Sequence, residues 1–340
     1  MFPMVLVMLA CVSPPSYVSA QRQCTPEEAF RRISGWEQTG DEYGIGFVQP
    51  KAQYQLRWKK ADQIIALLNE AVPRLTGAEG HPYRTTYGQP YVANGPVPFA
   101  LNVPIFGYYC IPQTSGNPNL RGKIELSGET GTWIYFYFNS LGWLTSNYLH
   151  YRTVKGARIY EIQERGEALQ GFTLLRHELN VGVPNEAIII TPDGRSPLKP
   201  LSREKYLLAR QKFYQGEISK LQTASPASGS ELARHQHELD AITNLLNSLT
   251  PEERQAQAII KDPNAMPGDR WAKVFVTEAE GGHPLVTVDA ALFKPRQSAA
   301  AVTIITVYWR TDHHNAAESE AIRQFKGNFD FQALRQMLDK

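Results

Sequence analysis

The order of periodic segments predicts an α+β fold: a mixed or antiparallel sheet packed with helices and carrying an inserted helical hairpin. Three observations carry that expectation. Helical periods stand near both ends of the chain, strand-like alternation fills most of the middle, and between 201 and 262 the strand pattern gives way to two leucine-bearing helical stretches. The implied organisation is a signal peptide at 1–20, an N-terminal α+β part at 21–200, the hairpin at 201–262, and strands and helices at 263–340 that complete the same domain. The 340 residues, 42% hydrophobic and 20% charged, have the composition of a folded globular chain with enough length for a large core. A formal net charge of +2 argues against nucleic acid or a polybasic attraction to membranes.

Residues 1–20 contain no Asp, Glu, Lys or Arg, and the apolar run 2–12 gives way to Ser13, Pro14, Pro15 and Ser16. Val18, Ser19 and Ala20 suit a signal peptidase, so the expectation is cleavage before Gln21 and a secreted or periplasmic bacterial protein. Leu9, Ala10 and Cys11 resemble a lipobox, and the alternative is a lipoprotein acylated at Cys11. Either route leaves Cys24 and Cys110 as the thiols able to pair, and an oxidising compartment favours a disulfide between them. No later stretch reads as transmembrane, since the most apolar one, 299–309, is short and rich in threonine.

Thr25, Pro26 and Glu28 form a capping-box signature, predicting a short helix to about Ser34 that Gly35 ends. Tyr54, Trp58, Ala61, Ile65, Leu68 and Val72 share one face of a longer helix ended by Pro73, with Arg57, Lys59 and Lys60 expected on its solvated side. From 77 to 118 the abundance of Pro, Gly and Tyr predicts loop and short strand. Strands at 123–127 and 132–138 are separated by Gly128, Glu129, Thr130 and Gly131, a connection of hairpin length. The second of them is aromatic on both faces, with Trp133, Tyr135 and Tyr137 opposite Ile134, Phe136 and Phe138. Such a strand is central to a sheet covered on both sides, or has one face lining a ligand cleft. Further strands are expected at 158–162, 172–179 and 187–191, the last closed by Pro192, Asp193 and Gly194.

Ser202 opens a helix carrying Leu207, Tyr214, Ile218 and Leu221, and a second helix carries Leu232, Leu239, Ile242, Leu246 and Leu249, the pair forming a helical hairpin or short coiled coil. Thr250, Pro251 and Glu253 repeat the capping box. Strands return at 273–277, 285–288 and 302–309, the first two joined across Gly281 and Gly282. Two helices follow, at 316–326 and from Phe331 onward, the second capped by Asp330.

Chemistry-bearing motifs are sparse. His177-Glu178 and His237-Glu238 each begin like a zinc-protease helix, but Val181 and Ala241 stand where the second His is needed. Glu231, His235 and Glu238 share a helix side, and Asp312, His313 and His314 are adjacent; the first set reads better as a His bonded to carboxylate at the hairpin seam, the second as a helix cap beside solvated histidines. No metal site and no cofactor are therefore expected. Ser202 and Lys205 have the spacing of a serine activated by lysine, but Ser196 and Lys199 repeat it six residues earlier, so Ser202 reads as a helix cap. With no catalytic motif, the first expectation is a non-enzymatic binder of a protein or a carbohydrate, using the hairpin as a contact arm or the aromatics Tyr83, Tyr87, Tyr91, Trp143 and Tyr148 as stacking surfaces. The competing expectation is a secreted hydrolase assembled from distant residues such as His81, His150, His177, Ser202 and Asp312.

Overall fold

The structure is a computed structural model that describes residues 23–37, 51–86, 95–145, 159–161, 163–180, 183–223, 229–261, 271, 273–293 and 301–339. The expected leader, its cleavage point and Cys11 lie outside those residues. Helix α1 (Pro26–Phe30) carries the expected capping box, with Thr25 Oγ1 accepting from Glu28 N at 3.1 Å and Glu28 Oε2 accepting from Thr25 N at 3.0 Å. It stops at Phe30, short of Ser34, because β1 (Ile33–Ser34) is drawn into pairing with β2 (Leu75–Thr76). Helix α2 (Lys51–Ala71) runs between them and buries Trp58, Ala61, Ile64 and Leu68, with Val72 just beyond its end. Arg57 stands four and seven residues before Ala61 and Ile64, which places it in that stripe, and it is fully buried rather than solvated. Lys60 does reach the surface, where it pairs with Asp339 at 3.0 Å.

The segment expected to be loop and short strand contains the short β3 (Ala78–Gly80) and β4 (Tyr83–Thr86) but also a long strand, β5 (Phe99–Cys110). Phe99, Leu101, Val103 and Ile105 alternate with Ala100, Asn102 and Pro104, which is a strand pattern; Pro104 and Gly107 hide it. The expected hairpin is also corrected. Strand β6 (Ile124–Leu126) and strand β7 (Thr132–Phe138) do not pair with each other, because both pair with β5: Tyr108 faces Leu126 and Ile105 faces Thr132. Residues 128–131 therefore interrupt one long antiparallel run beside β5 instead of turning it around.

Strands β8 (Ile159–Glu161), β9 (Gln163–Leu169), β10 (Phe172–Asn180), β11 (Val183–Ile190) and β12 (Leu198–Pro200) follow, β9 and β12 being additions to the expected set. Helices α3 (Arg203–Thr223) and α4 (Gly229–Ser248) lie against each other, Gln211 Nε2 donating to Thr243 Oγ1 at 2.8 Å, and α5 (Pro251–Gln255) carries the second capping box. Strands β13 (Ile259–Ile260), β14 (His283–Val288) and β15 (Ile305–Arg310) and helices α6 (Ala316–Asn328) and α7 (Phe331–Gln336) complete the described chain. Residues 273–277 form no strand beyond a bridge from Phe275 to Ile260, since Thr277 caps a helical turn at 278–280.

The described strands form a nine-stranded sheet of order β3-β5-β7-β15-β11-β10-β9, with β4 and β6 also on β5, and every pairing in it is antiparallel. A four-stranded sheet pairs β12, β13 and β8 with β14. The architecture is thus α+β. One face of the large sheet, bearing Leu101, Ile134, Phe136, Val307 and Trp309, packs on α2, α6 and α7 through Leu68, Phe325 and Phe331. The other bears Tyr135, Tyr137, Tyr308 and Ala187 and is covered in part by Leu144, Tyr160, Leu198, Val288 and Phe293. Among the described residues, no helix is long and apolar enough to cross a membrane.

Candidate functional site

The second face of the sheet concentrates aromatic side chains around β7. Alternation sends Trp133, Tyr135 and Tyr137 to that face, and antiparallel register sets Tyr308 beside Tyr135 and Arg310 beside Trp133. Successive rings stack: Trp133 on Tyr135 at 5.5 Å and 8°, Tyr135 on Tyr137 at 5.5 Å and 5°. Tyr83 meets Trp133 edge to face at 6.5 Å, and Trp143 meets Tyr135 in the same way at 6.4 Å. Tyr135, Tyr137 and Tyr308 are buried, whereas Tyr83, Trp133 and Trp143 are half-buried, so the ladder opens toward solvent at their end.

Polar groups flank the opening. Pro104, Trp133, Arg310 and Asn185 occupy successive paired positions across four strands. Arg310 Nε donates to Gly131 O at 2.6 Å and Trp133 Nε1 to Thr130 O at 3.2 Å, so the interruption at 128–131 fixes both side chains. That interruption is itself held from below by Glu318, whose carboxylate accepts from Thr130 Oγ1 at 3.1 Å and from Gly107 N at 3.1 Å. Burial, reinforced by the charge of Asp312, raises the Glu318 carboxyl above its ordinary pKa. The Tyr308 hydroxyl is buried and has no hydrogen-bond partner among the described residues. Burial first, and then the neighbouring Tyr135, push its pKa strongly upward, so it stays a neutral donor and acceptor.

Tyr83 and Trp143 of the expected aromatic set belong to this face; Tyr87, Tyr91 and Tyr148 lie outside the described residues. Trp133 lies on the strand face expected to be covered or to line a ligand cleft, and Tyr308 joins it through a register that only the fold supplies. Of the expected hydrolase set, the structure describes the side chains of His81, Ser202 and Asp312. His81 follows β3, Asp312 follows β15, and Ser202 precedes α3, with its Oγ accepting from Lys205 N at 3.3 Å as a cap. Among the described residues no hydrogen bond or ion pair joins any two of these three, His177 lies in register with Asn185, and His150 is outside the description. Lys199, from the repeated serine–lysine spacing, pairs with Asp289 at 2.7 Å.

The two acid–histidine sets have other partners among the described residues. His235 sits at the seam of α3 and α4, its ring 5.5 Å from that of Tyr214 and its Nε2 3.8 Å from Glu231, while Glu238 accepts from Trp271 Nε1 at 2.5 Å. Asp312 accepts from His314 N at 2.9 Å, beside exposed histidines, but the cap of α6 is Asn315. Cys24 and Cys110 are juxtaposed with their Cα atoms 5.7 Å apart, a separation that suits a bridge. A separate recess is lined by Phe172, Ile189, Arg195 and Arg335. Comparison with protein-family models, with curated proteins and with solved structures finds no match to this chain.

Proposed function

We propose that the chain is an exported bacterial binding protein that holds a carbohydrate against the open end of the aromatic ladder and performs no reaction of its own. The observation that carries this reading is the set of half-buried Tyr83, Trp133 and Trp143 rings supported on buried, stacked tyrosines. Sugar rings present apolar C–H faces that pack on aromatic planes, while their hydroxyls need neighbouring polar groups. Arg310, paired beside Trp133, offers such a group. In the same reading residues 201–262 are a hairpin inserted into a single α+β domain, and their outer side, with Leu208 48% exposed, is a contact arm for a protein partner. Export is read from the charge-free leader, and a Cys24–Cys110 disulfide follows from the oxidising compartment together with the close approach of the two Cα atoms.

The test is a titration of the secreted protein with soluble oligosaccharides of cellulose, chitin and xylan, read by tryptophan fluorescence and calorimetry. Saturable binding to one of them is expected, and Trp133→Ala should weaken it at least about tenfold, the loss of roughly 1.5 kcal/mol that an aromatic contact carries. Trp143→Ala, at the other side of the opening, gives a second reading if the first variant folds poorly. Binding that neither substitution changes, or no saturation by any of the sugars, refutes the proposal.

A further inference from the structure

Away from the aromatic ladder, at the edge of the large sheet, three potential metal ligands meet. Glu79 and His81 are two residues apart on an extended segment, so both side chains leave the same side. Glu37 reaches them from another part of the chain. Its backbone N donates to Gly80 O at 2.8 Å, Gly80 N donates to Gly35 O at 3.1 Å, and His81 N donates to Pro104 O at 3.0 Å, so the backbone under all three side chains is fixed. Gly80 is required for this approach: a Cβ there would stand 2.2 Å from the ring of Trp36. One ligand atom from each of Glu37, Glu79 and His81 lies within 4.8 Å of the others, and His81 Nε2 is 2.8 Å from Glu79 Oε1. Ligands at about 2.0–2.1 Å from one tetrahedral ion stand roughly 3.3 Å apart, so small side-chain rotations suffice to close the set.

We propose that Glu37, Glu79 and His81 form a site for one divalent transition-metal ion of the zinc class, with Tyr108 holding Glu79 from behind. One imidazole and two carboxylates select zinc-like ions over calcium or magnesium, which prefer a shell of oxygens alone. The Tyr108 hydroxyl donates to the second Glu79 oxygen at 2.5 Å. This is the outer-shell arrangement that orients a metal-bound carboxylate. The site is independent of the carbohydrate reading, and neither depends on the other.

The test uses the whole secreted protein, stripped with a chelator, then titrated with zinc chloride by calorimetry and with cobalt chloride by visible absorption. Expected are one equivalent bound, cobalt bands of a four- or five-coordinate centre, and little competition from calcium or magnesium at the same concentration. Glu37→Gln and His81→Gln should each weaken zinc binding more than about tenfold, and Tyr108→Phe by about tenfold. Glu37 is exposed, so its substitution leaves the metal-free circular dichroism and melting unchanged. Absence of saturable zinc binding, binding that survives both ligand substitutions, or binding abolished by His313→Gln with His314→Gln overturns the proposal.

Discussion

Replacing both Cys24 and Cys110 by serine tests the proposed bridge and, through it, the compartment in which the chain folds. The two Cα atoms stand 5.7 Å apart, near the usual value for bridged pairs, so closing the bond asks for no displacement of α1 or β5. The sequence separation of 86 sets the size of the ring. Loop-closure entropy for a ring of that size is about 15 cal/mol/K, and its removal from the unfolded ensemble is worth about 4.6 kcal/mol at 25 °C. Against a total stability of roughly 5–15 kcal/mol for a typical domain, that is a third or more. The assay is urea unfolding of the oxidised protein, of the same protein in dithiothreitol, and of the double-serine variant. The reduced protein and the variant should unfold at the same lowered midpoint, with a steeper denaturant dependence because their unfolded chains expand further. Two reactive thiols in the unfolded, unreduced protein, or a midpoint that complete reduction does not move, would refute the reasoning.

Two further outcomes test the packing that carries the candidate sites. Glu186 accepts from Lys326 Nζ at 2.6 Å and from Trp309 Nε1 at 2.9 Å on the helical side of the sheet. Burial opposes its charge but Lys326, Trp309 and Arg176 outweigh that and lower its pKa, so its stabilisation is present above the unfolded carboxyl value of about 4.3 and is lost as pH falls through the folded one. Lys326→Met should therefore cost about 2 kcal/mol at neutral pH, and urea midpoints of variant and wild type should converge in acid; a gap of constant size down to about pH 2 contradicts the assignment. Gly142 has φ +52°, and a Cβ there would stand 2.2 Å from the Tyr137 ring, so Gly142→Ala should lose at least about 2 kcal/mol, measured by the same unfolding curves. A change within about 0.5 kcal/mol would show that the ladder around Tyr137 is not tightly held.

Elements whose signals are local were legible in the sequence. The capping boxes at Thr25 and Thr250 formed as their residue types dictate, and the apolar stripe of α2 emerged with Trp58, Ala61 and Leu68 on its buried side. The alternation in β7 placed it centrally in the sheet, between β5 and β15. Signals that depend on register or on chain crossings were not legible. Gly128 to Gly131 looks like a hairpin turn until β5 is known to run beside both flanking strands, and the alternation in β5 is masked by Pro104. Arg57 misled because a charged residue inside an apolar stripe is read as a boundary. The aromatic face needed the pairing of Tyr135 with Tyr308, and the edge cluster needed Glu37 brought next to Glu79, neither of which any spacing in the chain encodes.

The position of β15 has a consequence for how the molecule is made. It lies between β7 and β11, although it is synthesised long after either of them. Until it arrives, both ladders present bare backbone amides and carbonyls to any other extended polypeptide, and the rings of Tyr135 and Phe136 have no neighbour on that flank. Assembly is accordingly late, dominated by distant contacts and slow, so the emerging chain stays pliable until β15 pairs with both neighbours.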